Sequence, residues 1–199
     1  MEINLEATKW KCEHNGIGLT IFPTQKKKCV KIPKEINGVS VVQIGDAAFQ
    51  DNFLLQHIEL PNSITHIGKS AFAGCLNLER ISIPHKVNTV QTETFMDCLS
   101  LQQVNIGGAI VEIQEDAFNG CLCLSNISLT QGLLAIKERA FFGCTSLKEL
   151  HLPKSIRSLG MDAFRDCNNL TLKMSLETWN STLETQILWN PNNCKIIFG

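Results

Sequence analysis

Tyrosine is absent from the 199 residues, and six of the ten phenylalanines fall at one recurring position. The interleaving of basic and aromatic side chains used by single-strand nucleic-acid binders is therefore missing. Excess charge is missing too. Eighteen Lys plus Arg against 19 Asp plus Glu leave a formal charge of −1, with no bias toward nucleic acid or anionic membranes. The densest charged run, Lys26-Lys27-Lys28, reads as a solvated turn. No stretch approaches the ~20 apolar residues of a membrane helix, so no membrane insertion is expected. The opening MEINLEATKW is neither a basic leader nor an apolar signal segment. By itself it leaves an intracellular chain and a matured exported one both open.

Motifs that carry chemistry are also lacking. G-x-S-x-G, a phosphate loop and H-E-x-x-H do not occur. The histidines at 14, 57, 66, 85 and 151 sit in five different contexts. His57 and His151 would lie four strands apart, about 19 Å at ordinary strand spacing, too far to converge on one ion. The expectation is a non-enzyme with no cofactor and no metal.

What the sequence does hold is a period. Phe49, Phe72, Phe95, Phe118, Phe141 and Phe164 follow one another at 23-residue intervals without an insertion. Six residues after each stands a leucine, from Leu55 to Leu170. Nine and eleven residues after the first five stand aliphatic pairs: Ile58/Leu60, Ile81/Ile83, Val104/Ile106, Ile127/Leu129 and Leu150/Leu152. Two inward residues at spacing two make a short strand. Pro61, Pro84 and Pro153 end it, because proline cannot donate to a ladder. Ile64-x-x-Ile67 and its successors make a second short wall, and Gly-x-x-Ala-Phe-x-x-Cys turns the chain, read as one or two helical turns. A coil this small cannot bury its own apolar side and must stack on its neighbours.

Stacking also accounts for the cysteines. Cys75, Cys98, Cys121, Cys144 and Cys167 each follow a repeat phenylalanine by three residues, so they should form an inward column of reduced thiols meeting backbone carbonyls. The first copy has Asn52 there, expected to brace the turn through stronger hydrogen bonds. Cys123 should lie near the surface, and a Cys12–Cys29 disulfide is an option for an exported chain.

The run Leu55-Gln-His-Ile-Glu-Leu-Pro-Asn-Ser-Ile-Thr-His-Ile-Gly-Lys-Ser-Ala-Phe-Ala-Gly-Cys75 resembles, throughout, the unit of BspA-like leucine-rich repeats of the Treponema pallidum type. The resemblance covers residues 39 to 172. It implies a right-handed leucine-rich-repeat solenoid, mainly β, and a protein-binding module of the secreted or cell-surface adhesion and host-interaction type. An intracellular interaction scaffold, as part of a longer chain or alone, is the alternative.

Three regions follow: a β cap over 1–38, repeats over 39–172 and a mixed cap over 173–199. Asn15-Gly16 and Asn37-Gly38 signal hairpins in the first cap. In the last, SLETWNSTLETQIL has helical spacing and CKIIFG reads as a strand, with Trp179, Trp189 and Phe198 as capping aromatics. The outward positions of the first strand row carry His57, Glu59, Arg80, Ser82, Gln103, Asn105, Asn126, Ser128, Glu149 and His151. These are the expected contacts to a protein ligand on the concave sheet; the absence of aromatics argues against sugar stacking. On the other wall, Ala109, Val111, Leu134 and Ala135 are expected to form an apolar patch supporting weak self-association or partner contact.

Overall fold

The computed structural model describes residues 10–108, 110–181 and 194–199. Both hairpin signals are realised. β1 (Trp10–His14) runs antiparallel to β2 (Leu19–Pro23). At the turn Asn15 Oδ1 accepts from the N–H groups of Ile17 and Gly18, and Gly16 takes a φ of 89°. β3 (Cys29–Lys31) follows, then β4 (Glu35–Ile36) and β5 (Val39–Ile44) pair around Asn37 and Gly38, at φ 52° and 76°. Two consecutive left-handed residues are what a tight hairpin turn requires.

Each coil then adds two strands. They are β6 (His57–Glu59) with β7 (His66–Ile67), β8 (Arg80–Ile83) with β9 (Thr89–Val90), and β10 (Gln103–Ile106) with β11 (Glu112–Ile113). β12 (Asn126–Ile127) with β13 (Ala135–Ile136), and β14 (Glu149–His151) with β15 (Ser158–Leu159), continue the series. β16 (Thr171–Met174), helix α1 (Leu176–Ser181) and β17 (Lys195–Phe198) close it. The strands pair in parallel, coil on coil, as a β-solenoid. The first wall comprises β3-β6-β8-β10-β12 and then β14-β16-β17; the second comprises β2-β5-β7 and then β9-β11-β13-β15. The second wall is interrupted beside the one repeat phenylalanine not preceded by alanine. There the buried Thr94 hydroxyl sits 2.8 Å from the Gln91 carbonyl and 3.5 Å from that of Gly68.

The six repeat rings are stacked along the axis and shut off from solvent, with centroids 5.2–5.7 Å apart. Trp10 closes the first end edge-on against Phe49 at 6.4 Å. Beside the rings runs the thiol column. Each cysteine Sγ donates to the carbonyl of the phenylalanine one coil back, at 3.0–3.2 Å. Asn52 departs from expectation. It is buried, yet neither its amide nitrogen nor its oxygen has a partner among the described residues. The column works by reaching back to a phenylalanine carbonyl, and the coil before Asn52 has no phenylalanine at that point.

The turning segment is not helical. Amides alternate between closing a three-residue turn, as Gln50 N–H does on the Ala47 carbonyl, and crossing to the next coil, as Phe49 N–H does on that of Ala71. Two residues per coil take left-handed φ, such as Ser70 at 51° and Gly74 at 68°, and these break helical geometry. The third wall is thus a stack of turns tied into the inter-coil ladder.

The repeat also persists further than its spacing indicates. Counting from Phe164 puts Lys173 and Ser175 at the inward positions, but β16 pairs Leu172 with Leu150. The link after Leu170 is one residue shorter, which turns Leu172 and Met174 inward. Ser175 caps α1 by accepting the Thr178 N–H at 3.1 Å, and Trp179 meets Phe198 edge-on at 5.7 Å. Leu183 and Trp189 lie outside the described residues.

Phe95 has a ring on each side and no exposed surface, so Phe95→Ala should cost about 3–5 kcal/mol. Cys98→Ala removes less volume and one weak donor and should cost clearly less. Paired thermal melts check this, and equal shifts would contradict the stack as the main source of cohesion.

Candidate interaction face

The first wall buries Ile58, Ile81, Val104, Ile127 and Leu150, and strand alternation turns the residues between them outward. Nine of the ten candidates are exposed; Gln103 is half-buried, with its amide donating to Asn105 Oδ1 at 2.8 Å. Register aligns them in rows. Cys29, His57, Arg80, Gln103 and Asn126 form one, while Lys31 with Glu59 and Ser82 with Asn105 lie along the other. Asn105 Nδ2 reaches Ser82 Oγ at 3.3 Å. Glu149 and His151 stand in the second panel of this wall, aligned with Thr171 and Lys173. The wall therefore brings the candidates together as two adjoining panels.

The panels differ in charge. At the first end Lys31 Nζ lies 2.7 Å from Glu59, whose hydrogen bond and charge raise the lysine pKa. A groove of about 450 Å³ runs over Lys31, His57, Glu59, Arg80 and Asn105. In the second panel Glu149 is held by Lys173 at 2.7 Å and His151 at 2.8 Å, and these bonds lower its pKa. The centre, from Gln103 to Ser128, is uncharged.

Cys29 and Lys31 belong to this face although they precede the phenylalanine repeat. Their signal was legible: Val30-Lys31-Ile32-Pro33 repeats the pattern of Ile58-Glu59-Leu60-Pro61. β3 lies parallel to β6 in that same register. The Cys12–Cys29 disulfide is not formed. Cys12 is the buried residue of β1, Cys29 is exposed on the open face, and both thiols are free.

The second-wall patch is smaller than its sequence suggests. Val111 and Leu134 are neighbours, with the Leu134 N–H bonded to the Val111 carbonyl at 2.8 Å, and Leu134 is 43% exposed. Ala135 is buried, its short side chain enclosed between Glu112 and Ser158 of the adjacent strands. Ala109 lies outside the described residues.

Burial pushes the Cys75 thiol up to about 12 and also raises those of Cys98, Cys121 and Cys144, so these four are held as thiol rather than thiolate. Cys123 is free and exposed. Among the described residues no three His, Cys, Asp or Glu side chains gather in a metal-binding arrangement. A bidentate ion pair lies on the turn wall. Arg139 Nε and Nη2 donate to the two Asp116 carboxylate oxygens at 2.9 and 2.8 Å, and Asn119 donates to the first.

A β-solenoid with an open parallel-sheet face and a column of repeat-spaced thiols defines the class, and the comparisons agree. The family model for the BspA type leucine rich repeat region matches six copies over residues 42–171. The chain belongs to the BspA-type leucine-rich-repeat family. It is similar to the leucine-rich-repeat protein of T. pallidum, at 29% identity and a TM-score of 0.56, over 85% of this chain and 70% of that one. A leucine-rich cell surface protein of Faecalibacterium prausnitzii shares 24% identity at a TM-score of 0.64, over 85% of this chain and 54% of that one. The pneumococcal vaccine antigen PcpA shares 20% at a TM-score of 0.62, over 87% and 50%. These last two likenesses show the fold, and the chain spans about half the length of each. No curated protein matches the sequence.

The guanidinium of Arg139 holds the Asp116 carboxyl below its ordinary value. A depressed folded-state pKa adds stability above the unfolded pKa and loses it as pH falls through the folded one. Asp116→Asn should therefore lower the melting temperature at pH 7, by the equivalent of about 1–2 kcal/mol after solvent screening. Melts between pH 7 and pH 2 should show the deficit closing below about pH 4. A deficit independent of pH would assign the effect to shape rather than charge.

Proposed function

We propose that the protein is a non-catalytic binding module that takes a protein ligand across the first-wall face, at the cell surface or in secreted form. The observation carrying this reading is the face itself: two aligned rows of exposed side chains on a rigid stack, amide- and hydroxyl-rich at the centre and charged at both ends. Short polar groups at strand spacing suit the main-chain and side-chain groups of another protein. The address is supported by a relative described as a cell surface protein and another described as a vaccine antigen. An intracellular scaffold is the second reading, favoured by nine reduced cysteines, two of them exposed.

Chemical cross-linking from the face, followed by affinity measurement on the captured ligand, tests the role. Arg80→Ala/Asn105→Ala should weaken that ligand at least tenfold, while Thr65→Ala/Arg157→Ala on the second wall leaves it unchanged. The reverse pattern would move the site to the second wall. Whole-cell labelling with a membrane-impermeant maleimide separates the two addresses: Cys29 and Cys123 react on intact cells only if the protein is outside.

A further inference from the structure

A second surface lies at the first end of the first wall. Parallel ladders use alternate residues. In the β3–β6 pair the Lys28 carbonyl accepts from His57 N–H at 3.2 Å, and Ile32 N–H donates to the Glu59 carbonyl at 3.0 Å. Cys29 and Lys31 consequently direct their N–H and C=O groups away from β6. Among the described residues β3 pairs with β6 alone, so that side is an open strand edge. The β1–β2 hairpin extends the second wall and leaves this edge uncovered.

Beside the edge is a pocket of about 250 Å³, lined by Trp10, Pro23, Gln25, Lys27, Val30 and Lys31. Its floor is apolar and its rim is basic. Lys27 and Lys28 have no carboxylate partner among the described residues, and Lys26 donates to the Asp51 carbonyl. A lysine cluster beside an unpaired edge repels a second lysine-bearing edge and attracts an acidic strand.

We propose that the β3 edge captures an extended, acidic segment of a partner protein by strand addition. The main chain of the segment pairs with Cys29 and Lys31. Strand alternation then sends one apolar side chain, level with Val30, into the pocket against Trp10, and puts its two neighbours on the outer side beside Lys31 and Lys27. The recognised pattern is acidic–apolar–acidic. This edge adjoins the open face and shares Cys29 and Lys31 with it, but its main-chain pairing does not depend on that face binding anything.

The probe is a fluorescein-labelled peptide of alternating glutamate and isoleucine, titrated with the full chain by fluorescence anisotropy. A peptide of the same composition in block order is the control. Saturable binding is expected for the alternating peptide alone. Lys27→Glu/Lys28→Glu should weaken it at least tenfold, and Lys31→Pro should abolish it, because that N–H has no partner among the described residues and lies on the edge the segment would join. Melting curves report folding, and the charge reversal keeps the test valid if the proline variant does not fold. Failure of the alternating peptide to bind, or equal binding of the block peptide, would overturn the proposal. So would binding that appears only in Glu2→Lys/Glu6→Lys, since the chain's own Glu2-Ile3-Asn4-Leu5-Glu6 would then be the occupant.

Discussion

Everything in this molecule depends on superposition: a residue type that works at one point of a coil must work directly above and below itself. Phenylalanine satisfies this at the axis because a flat ring covers both neighbours, and offset stacking at 5.2–5.7 Å suits the coil spacing. The same requirement explains the thiols. Each repeat phenylalanine carbonyl already accepts the N–H three residues on in its own turn, as that of Phe49 does from Asn52. The cysteine of the next coil takes the remaining lone pair. A thiol is small and costs little to desolvate, so a weak donor suits a position where a stronger one would lose more on burial. Asn52 shows the converse, a strongly polar group buried where the preceding coil offers nothing to meet it.

Much of the fold was legible because superposition writes itself into the sequence as a period. The inward rows and the outward alternation of the first wall follow from the twenty-three-residue register, and the hairpins from their Asn-Gly pairs. What escaped has particular causes. The turn wall reads as helical from the sequence because Gly-x-x-Ala-Phe-x-x-Cys has apolar residues one helical turn apart; the left-handed residues that prevent a helix are mostly aspartate, serine and glutamate, not the glycine that would signal them. A one-residue contraction after Leu170 hid Leu172 and Met174 from a fixed-period count. Ala135 faces outward as its position requires, but an outward methyl between longer neighbours does not reach solvent. A period assigns direction; exposure also depends on the length of adjacent side chains.

Because the ladder and the stack consume the inward and backbone groups, the outward rows are free to vary without disturbing cohesion. The first wall uses that freedom unevenly. Its centre is neutral, and its ends are crossed by ion pairs, Lys31–Glu59 on one side and Glu149 between Lys173 and His151 on the other. Exposed pairs of this kind contribute little to folding. In the proposed binding role they would instead orient a ligand carrying complementary charges at both ends along the stack before close contact forms.

The inner coils satisfy their main chains on both sides, but a solenoid has two ends where the ladder must stop. At the far end β17 pairs with β16, and Phe198 packs on Trp179 of α1. At the near end the hairpin covers the second wall and Trp10 covers the ring stack, yet neither covers β3. An uncovered parallel edge invites indiscriminate pairing unless charge restricts it. Lys26 to Lys28 and Lys31 supply that restriction, repelling like-charged edges such as another copy's β3. The run is a solvated turn, as its composition indicates, and under the proposed capture the same charges would also restrict which strands are able to approach this end.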